Sequence, residues 1–213
     1  DLSDREKLKT LAEKVKPSIV VHLAAYGNSS SEQNIDRAIK TNILGTLNLF
    51  LATRDIPYEA FLNTGSSSEY GFKKEPMKET DYLEPNSIYS ATKASSTYFG
   101  QVLSHDYNKP IVTIRPFSVY GPYESKGRLI SNIMIALIKN RPIYLSPGEG
   151  KHDFIYIDDL IGGYAAVIKN INKVIGRIIN LGTTKEYTNS EVVEKLFQVA
   201  KKRVNVNKDS APK

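Results

Sequence analysis

Phe61-Leu62-Asn63-Thr64-Gly65-Ser66-Ser67-Ser68-Glu69-Tyr70-Gly71 is a short apolar run that passes into a turn of small residues. The apolar run predicts a buried strand, and the glycine and serines after it predict a turn at its carboxyl end. Ligands of open parallel sheets bind at that edge, where the turns present their polar groups. The stretch therefore predicts an α/β sheet with a site, and a solvated loop is the other interpretation of the serines.

A second informative stretch is Tyr89-Ser90-Ala91-Thr92-Lys93, which lies in a segment with helical patterning. Residues four apart share one face of a helix, so the phenol and the ammonium are expected side by side. A fixed cation stabilises a phenolate and lowers the pKa of a phenol from its usual value near 10. The spacing predicts an acid/base tyrosine, although by itself it also describes an ordinary exposed helix pair.

Strand and helix patterns alternate along the chain, which predicts a parallel sheet with helices on both faces. The predicted strands and helices of this part cover residues 18–23, 33–54, 60–63, 86–107 and 110–115. Beyond Gly121 the elements are shorter and predict a smaller lobe interleaved with the sheet. We therefore expect two domains, a partial dinucleotide-binding domain over residues 1–121 and a substrate-binding lobe over residues 122–213.

Composition excludes several classes of protein. With 40% hydrophobic and 24% charged residues, the chain is typical of globular proteins, and it has no apolar run long enough to predict a membrane span. Neither a membrane partner nor a secretory leader is expected. The absence of cysteine rules out disulfides and thiolate ligands and favours a cytoplasmic protein. The three histidines do not cluster with carboxylates, so no metal site is expected.

The basic charge is concentrated at the end of the chain. Five basic residues against Asp209 in residues 201–213 account for +4 of the net +6. No groove-reading motif accompanies this basic tail, so nucleic-acid binding is not expected.

Six segments in the same order resemble the extended short-chain dehydrogenase/reductase superfamily, and within it the epimerases, 4,6-dehydratases and 4-keto reductases of nucleotide-activated sugars. The segments are Val20-Val21-His22-Leu23-Ala24-Ala25, Thr41-Asn42-Ile43-Leu44-Gly45-Thr46, Ser66-Ser67-Ser68-Glu69-Tyr70-Gly71, Tyr89 with Lys93, Arg115-Pro116-Phe117-Ser118-Val119-Tyr120-Gly121-Pro122, and Asp153-Phe154-Ile155-Tyr156-Ile157-Asp158-Asp159.

The resemblance implies a Rossmann-like, doubly wound parallel sheet that binds NAD or NADP, with a small C-terminal α/β substrate-binding lobe. No G-x-x-G-x-x-G phosphate loop occurs in the sequence. Because Asp1 and Leu2 resemble the pair that contacts the adenine ring, we expect the first strands and the phosphate loop to precede residue 1, and this fragment alone to be inactive. The residue that separates NAD from NADP is expected upstream as well. A homodimer paired through the two long helices is also implied, and packing of their apolar faces on the sheet is the other interpretation of those faces.

The resemblance assigns the catalytic roles to Ser66, Tyr89 and Lys93. Tyr89 would exchange a proton with the sugar, Lys93 would lower its pKa and hold the ribose, and Ser66 would hydrogen-bond the same sugar oxygen. Asn42 matches a position that bends the helix and orders a water near the lysine; the other interpretation is an amide bonded to the backbone. Ala24 and Ala25 follow the first strand and let the cofactor approach, whereas His22 is interpreted as a satisfied structural histidine.

The substrate, a nucleotide-diphosphate sugar, is expected to contact Ser67, Ser68, Ser118, Arg128 and His152. Ser67 and Ser68 are also alternatives to Ser66 if the turn is shifted. They replace the acidic pair of the dehydratases, which disfavours dehydration unless Glu69 substitutes through a shifted turn. Ser118 and His152 replace residues that bind the diphosphate in many relatives, and Arg128 with Lys126 would compensate.

The catalytic set predicts hydride transfer between the cofactor and a sugar carbon. A 4-keto-6-deoxy-sugar reductase and a sugar-nucleotide epimerase use the same catalytic residues, so only the form of the motifs separates them. That form slightly favours the reductase. The alternative is a catalytically silent member that senses a dinucleotide or acts as a scaffold. Neither the nucleotide nor the sugar is specified by the sequence.

Overall fold

A computed structural model describes residues 1–28, 32–145 and 150–208. Two compact units divide the chain: Asp1–Phe117 with Asp158–Leu181, and Ser118–Ile157 with Gly182–Lys213. The observed junction at Phe117/Ser118 thus lies four residues before the predicted boundary at residue 121, and residues 158–181 return to the first unit. The reason is strand pairing, since the strand at the end of that segment joins the first sheet. Residues 209–213 of the predicted basic tail lie outside the described residues.

The elements alternate between strand and helix. The helices are α1 Arg5–Val15, α2 Ile35–Ala38, α3 Thr46–Thr53, α4 Ile88–Asp106, α5 Leu129–Lys139, α6 Ile157–Lys169, α7 Ile171–Val174 and α8 Asn189–Ala200. The strands are β1 Ile19–His22, β2 Ala60–Thr64, β3 Ile111–Pro116, β4 Ser118–Tyr120, β5 Ile143–Tyr144, β6 Lys151–Tyr156, β7 Ile178–Leu181, β8 Glu186–Thr188 and β9 Val206–Asn207.

The sheet of the first unit is entirely parallel and has the strand order β1-β2-β3-β7. The predicted α/β class is therefore confirmed. Because all four strands run the same way, their carboxyl ends meet at one edge. The turn after β2 and the loop after β1 both start at that edge, which places the predicted serine turn and the two alanines on the ligand-binding side of the sheet.

Burial differs sharply along this sheet. Residues 60–63 of β2 are buried, and Phe61 packs with Phe50 and Ile111 in the core of the unit. In β1, by contrast, Ile19 and Val21 are exposed. Among the described strands β1 pairs with β2 alone, so its other edge is open.

The predicted helix over residues 33–54 contains a π-helical segment, Ile39–Gly45, between α2 and α3. A π turn inserts an extra residue into the helix and often marks a functional position. Gly45 is needed at its end, because a Cβ on this residue would lie 2.8 Å from Cβ of Leu2. The close approach fixes the N-terminal loop against the helix.

The second unit contains a three-stranded sheet of order β4-β6-β8, in which β4 and β6 are parallel and β8 is antiparallel. A second, two-stranded sheet pairs β5 with β9. The apolar faces of α5 and α8 form the core of the unit. Its buried members are Ile133, Ala136, Leu137, Ile143, Leu145, Val192, Val193 and Phe197.

Candidate active site

The serine turn leaves β2 at Thr64 and forms a short 3-10 helix, Ser67–Tyr70, with Ser66 as its N-cap. The Ser66 Oγ accepts a hydrogen bond from the backbone N–H of Ser68 (3.2 Å) and lies 2.8 Å from the Ser68 Oγ. A hydroxyl accepts two hydrogen bonds and donates one. If the Ser68 hydroxyl donates to Ser66, the Ser66 proton is free to be donated to a substrate oxygen.

Helix α4 carries the tyrosine and the lysine. It begins at the capping box of Ser87 and Ser90, so Tyr89 lies in the first turn and Lys93 one turn later. Helix α4 also packs against the 3-10 helix of the serine turn. Tyr89 is half-buried, whereas Lys93 is only 3% exposed.

Burial lowers the pKa of Lys93 to about 8, although the negative charge of Glu69 acts in the opposite direction. A lysine with a pKa near neutrality changes charge readily when a ligand adds or removes a neighbouring charge. This property suits a group that supports proton transfer by Tyr89.

His22 is the satisfied, buried histidine that the sequence predicted. It is 3% exposed, and its Nε2 lies 2.8 Å from the Thr46 Oγ1. Burial and the positive charge of Lys93 lower the pKa of His22 to about 4, so the ring is neutral near pH 7.

Asn42 lies in the π-helical segment and is 1% exposed. Its Oδ1 accepts from the backbone N–H of Tyr26 (2.8 Å), and its Nδ2 donates to the Tyr26 carbonyl (2.7 Å) and to the Thr92 Oγ1 (2.8 Å). The amide thus fastens the loop after β1 to the residue before Lys93. These backbone bonds match the second interpretation of Asn42, and its predicted contact with a water stays a prediction.

The predicted cofactor residues lie at the carboxyl edge and at the N-terminal loop. Ala24 and Ala25 lie in the loop that starts at Leu23 after β1 and are exposed, so a flat ligand can approach their backbone. The Leu2 carbonyl accepts from the Asn48 Nδ2 (3.0 Å), while the exposed Asp1 carboxylate accepts from the backbone N–H of Ser3 (2.8 Å). Small residues at the edge and a buried lysine on α4 fit a dinucleotide that crosses this edge.

Ser118, Arg128 and His152 all lie in the second unit. Ser118 begins β4 and pairs with Phe154 of β6, whereas Arg128 is the N-cap residue of α5. The Nε of Arg128 lies 4.0 Å from a carboxylate oxygen of Glu124. Burial, and secondarily the charge of Arg128, lowers the pKa of His152.

A buried polar network behind the serine turn was missed by the sequence interpretation. The Arg115 Nε donates to the Glu69 Oε2 (2.8 Å), and its NH1 donates to the Tyr70 hydroxyl (2.7 Å). The Tyr70 hydroxyl donates in turn to the Asn180 Oδ1 (2.8 Å). Because its carboxylate is turned into this network, Glu69 is not available to replace the acidic pair of the dehydratases.

Two signals in the sequence could have revealed this network. Ser66 and Glu69 have the S-x-x-E spacing of a capping box. Arg115 is a charge within the apolar strand Ile111–Pro116, and a buried charge needs a partner. Glu69 and Arg115 are 46 residues apart, so the local sequence does not show that they form a pair.

Within residues 1–28, 32–145 and 150–208, no group of three or more histidine, aspartate or glutamate side chains could hold a metal ion. In the same ranges, no helix is long and apolar enough to cross a membrane.

Over residues 1–182 the chain matches a family model described as the NAD dependent epimerase/dehydratase family. It is 26% identical over 215 residues to the dTDP-D-glucose 4,6-dehydratase of Dictyostelium discoideum, which covers 94% of this chain and 49% of that protein. It is 34% identical over 165 residues to the probable UDP-glucuronate 4-epimerase of Rhizobium meliloti (strain 1021), which covers 75% of this chain and 48% of that protein.

Among solved structures, the chain is similar to the UDP-glucuronic acid 4-epimerase of Bacillus cereus in complex with UDP-glucuronic acid and NAD. The TM-score is 0.87 at 28% identity, and the match covers 96% of this chain and 66% of that chain. The chain spans about half the length of the curated relatives named above.

Proposed function

The chain belongs to the NAD-dependent epimerase/dehydratase family, and from that membership we propose that it acts on a nucleotide-activated sugar with NAD as cofactor. The supporting observation is that the Ser66 turn and the helix bearing Tyr89 and Lys93 pack together at the carboxyl edge of a parallel sheet. Bound NAD would accept a hydride from a sugar carbon and return it.

Tyr89 takes the proton of the sugar hydroxyl as its carbon is oxidised to a ketone, and returns it when the ketone is reduced. The charge of Lys93 makes the phenolate accessible near neutral pH. Ser66 donates its hydroxyl proton to the same sugar oxygen and so stabilises the charge that develops there. Asn42 holds the loop after β1 in place, and Ala24 and Ala25 leave room for the cofactor.

We favour 4-epimerisation of a uronic-acid nucleotide, because the Bacillus cereus protein is a UDP-glucuronic acid 4-epimerase and the Rhizobium meliloti protein is named as a probable UDP-glucuronate 4-epimerase. This reverses the slight preference for a reductase drawn from the motifs. Dehydration is disfavoured: Ser67 and Ser68 offer no carboxylate, and that of Glu69 is paired with Arg115. A 4-keto reductase would use the same three side chains and remains the second candidate.

The substrate's diphosphate is assigned to Ser118, Arg128 and His152, with Lys126 nearby. Arg128 is the strongest candidate, because its guanidinium is planar and its side chain is 39% exposed.

A homodimer is proposed from exposed apolar residues on the two long helices. They are Ile35, Ile39, Ile88, Tyr98 and Val102. Analytical ultracentrifugation measures the oligomeric state directly.

The substitution Tyr89→Phe, made in the full-length protein that carries the expected phosphate loop, tests the proposed function, with Tyr98→Phe on the same helix as its control. Tyr98 is 55% exposed and has no place in the chemistry. We expect Tyr89→Phe to lower kcat for UDP-glucuronate at least ~10²-fold, the usual size of an acid/base contribution. NAD affinity, measured by calorimetry, should stay unchanged, and Tyr98→Phe should leave both quantities unchanged.

Two outcomes would contradict this proposal. Full turnover by Tyr89→Phe would remove the acid/base role. NAD binding by the wild-type protein without turnover of any nucleotide sugar would favour the silent, dinucleotide-sensing alternative.

A further inference from the structure

Glu69 is completely buried, and the chemistry described above does not use it. Among the described residues, Glu69 and Asp153 are the two buried carboxylates. Asp153 lies in the second unit, where it accepts hydrogen bonds from Thr183 and Thr184. Glu69 is therefore the buried acid of the unit that contains Tyr89 and Lys93.

The Glu69 carboxylate joins three elements through hydrogen bonds. Its Oε1 accepts from the backbone N–H of Ser66 (2.7 Å) and from the Thr97 Oγ1 of α4 (3.0 Å), while its Oε2 accepts from the Arg115 Nε of β3 (2.8 Å). The acceptor is thus shared between the serine turn, the helix one turn beyond Lys93, and the central strand.

The fit around the carboxylate is close. A Cβ on Gly65 would lie 2.5 Å from the Glu69 Oε1 and 3.1 Å from the Arg115 Cγ. Only glycine at position 65 leaves this space, so the turn accommodates the carboxylate beneath Ser66.

Glu69 interacts with two buried cations, Arg115 through a hydrogen bond and Lys93 through its charge. Arg115 and Lys93 are two buried cations of this unit, 1% and 3% exposed. The positive charge of Lys93 also lowers the pKa of His22. Tyr89 lies one turn before Lys93 on α4. Glu69 supplies the negative charge that raises the pKa of Lys93 against the effect of burial.

We propose that Glu69 is a positioning residue that ties the Ser66 turn to helix α4 and balances the charge of Lys93, so that serine, tyrosine and lysine keep one arrangement. The proposal rests on the proposed function for its catalytic consequence. Its structural and electrostatic consequences are measurable without cofactor or substrate, so the two can fail separately.

The first test is the pKa of Lys93 in the unliganded chain, measured from the pH titration of its 13Cε NMR signal. We expect Glu69→Gln to lower this pKa by about one unit, because an opposite charge close by is removed. The matched control is Glu191→Gln. Glu191 closes a capping box in the same way but is exposed and lies in the other unit, so this variant should not move the signal.

The second test separates the mechanical tie from the charge. Thr97→Val removes the hydrogen bond from α4 to Glu69 and keeps the carboxylate and Arg115. Amide hydrogen exchange at Ser66 and Ser68 should become at least ~10-fold faster in this variant, since the turn loses its link to the helix. The pKa of Lys93 should stay close to the wild-type value.

In the turnover assay, Glu69→Gln should lower kcat and move the alkaline limb of its pH profile to lower pH, because Lys93 loses its proton at a lower pH.

An unchanged pKa of Lys93 together with unchanged amide exchange in a folded Glu69→Gln protein would overturn the proposal. If Glu69→Gln does not fold, Thr97→Val decides, and wild-type exchange rates there overturn it. Shifts in both measurements without any turnover in the wild type would support Glu69 while contradicting the proposed function.

Discussion

The 3-10 helix capped by Ser66 and the helix α8 capped by Thr188 begin with the same capping box. In each, a glutamate three residues later accepts from the backbone N–H of the capping residue, at 2.7 Å in both cases. The two differ in their surroundings. Glu69 is buried and paired with Arg115, whereas Glu191 is exposed and its carboxylate accepts hydrogen bonds from the backbone N–H and the hydroxyl of Thr188.

The same capping box therefore has a different role at each of the two positions. At Thr188 the box satisfies the first N–H groups of α8, and its interactions with Thr188 lower the pKa of Glu191. At Ser66 the same pattern starts only a four-residue 3-10 helix, so little helix is stabilised. There the glutamate instead connects the turn to β3 and α4.

The largest expected effect comes from removing the buried counter-charge. Arg115→Met leaves the Glu69 carboxylate buried without its ion pair, which should lower the free energy of unfolding by about 3–5 kcal/mol. The matched surface pair is Arg203 with Glu194, whose side chains are 67% and 49% exposed. Arg203→Met should cost less than about 1 kcal/mol. Urea denaturation measures both values.

The double variant Glu69→Leu/Arg115→Met serves as the control for this pair. It removes both charges, so it should recover most of the lost stability. Equal costs for Arg115→Met and Arg203→Met would contradict the contrast between buried and exposed pairs.

A smaller effect on stability is expected from a change of pH, because burial also lowers the pKa of His22 in the first unit. The folded pKa is about 4 and the ordinary value is 6.5, so the unfolded chain binds the proton first as the pH falls. Protonation of His22 therefore leaves the free energy of unfolding unchanged above pH 6.5 and lowers it between pH 6.5 and about pH 4. The decrease attributable to His22 should be about 3 kcal/mol, at roughly 1.4 kcal/mol per pKa unit.

His22→Gln keeps a polar group near the Thr46 hydroxyl and has no titrating ring. Urea denaturation of this variant between pH 7 and pH 4 should show a correspondingly shallower decrease than that of the wild type. Parallel curves for the two proteins would mean that other groups cause the acid sensitivity.

The smallest effect on stability is expected from the caps themselves. Ser66→Ala and Thr188→Ala each remove one side-chain acceptor, which should cost about 1 kcal/mol in thermal or urea unfolding. Only Ser66→Ala should lower kcat, by about 10²–10³, if its hydroxyl stabilises charge on the sugar oxygen. A loss of turnover in Thr188→Ala as large as in Ser66→Ala would remove the distinction between the two turns.

Much of the fold was predictable from local patterns. Residues 60–63 predicted β2 to within one residue, and residues 86–107 predicted α4 to within two at its start. Both have a clear apolar period bounded by turn-forming residues. An irregular helix at Asn42 was indicated by the resemblance alone and not by the local apolar period, since the amide bonds there reach α4 and the Tyr26 loop. The exposure of β1 was not predictable, because it depends on which strands lie alongside.

Local sequence patterns specify the α/β alternation, the serine turn after β2, and the spacing that places Tyr89 and Lys93 on one helix face. These follow from interactions between residues close in the chain. The inward orientation of Glu69 toward Arg115, unlike the exposed Glu191, and the burial of Lys93 are evident only in the folded chain. Those outcomes depend on contacts between residues distant in sequence, where desolvation makes a charge costly unless a partner from another element meets it.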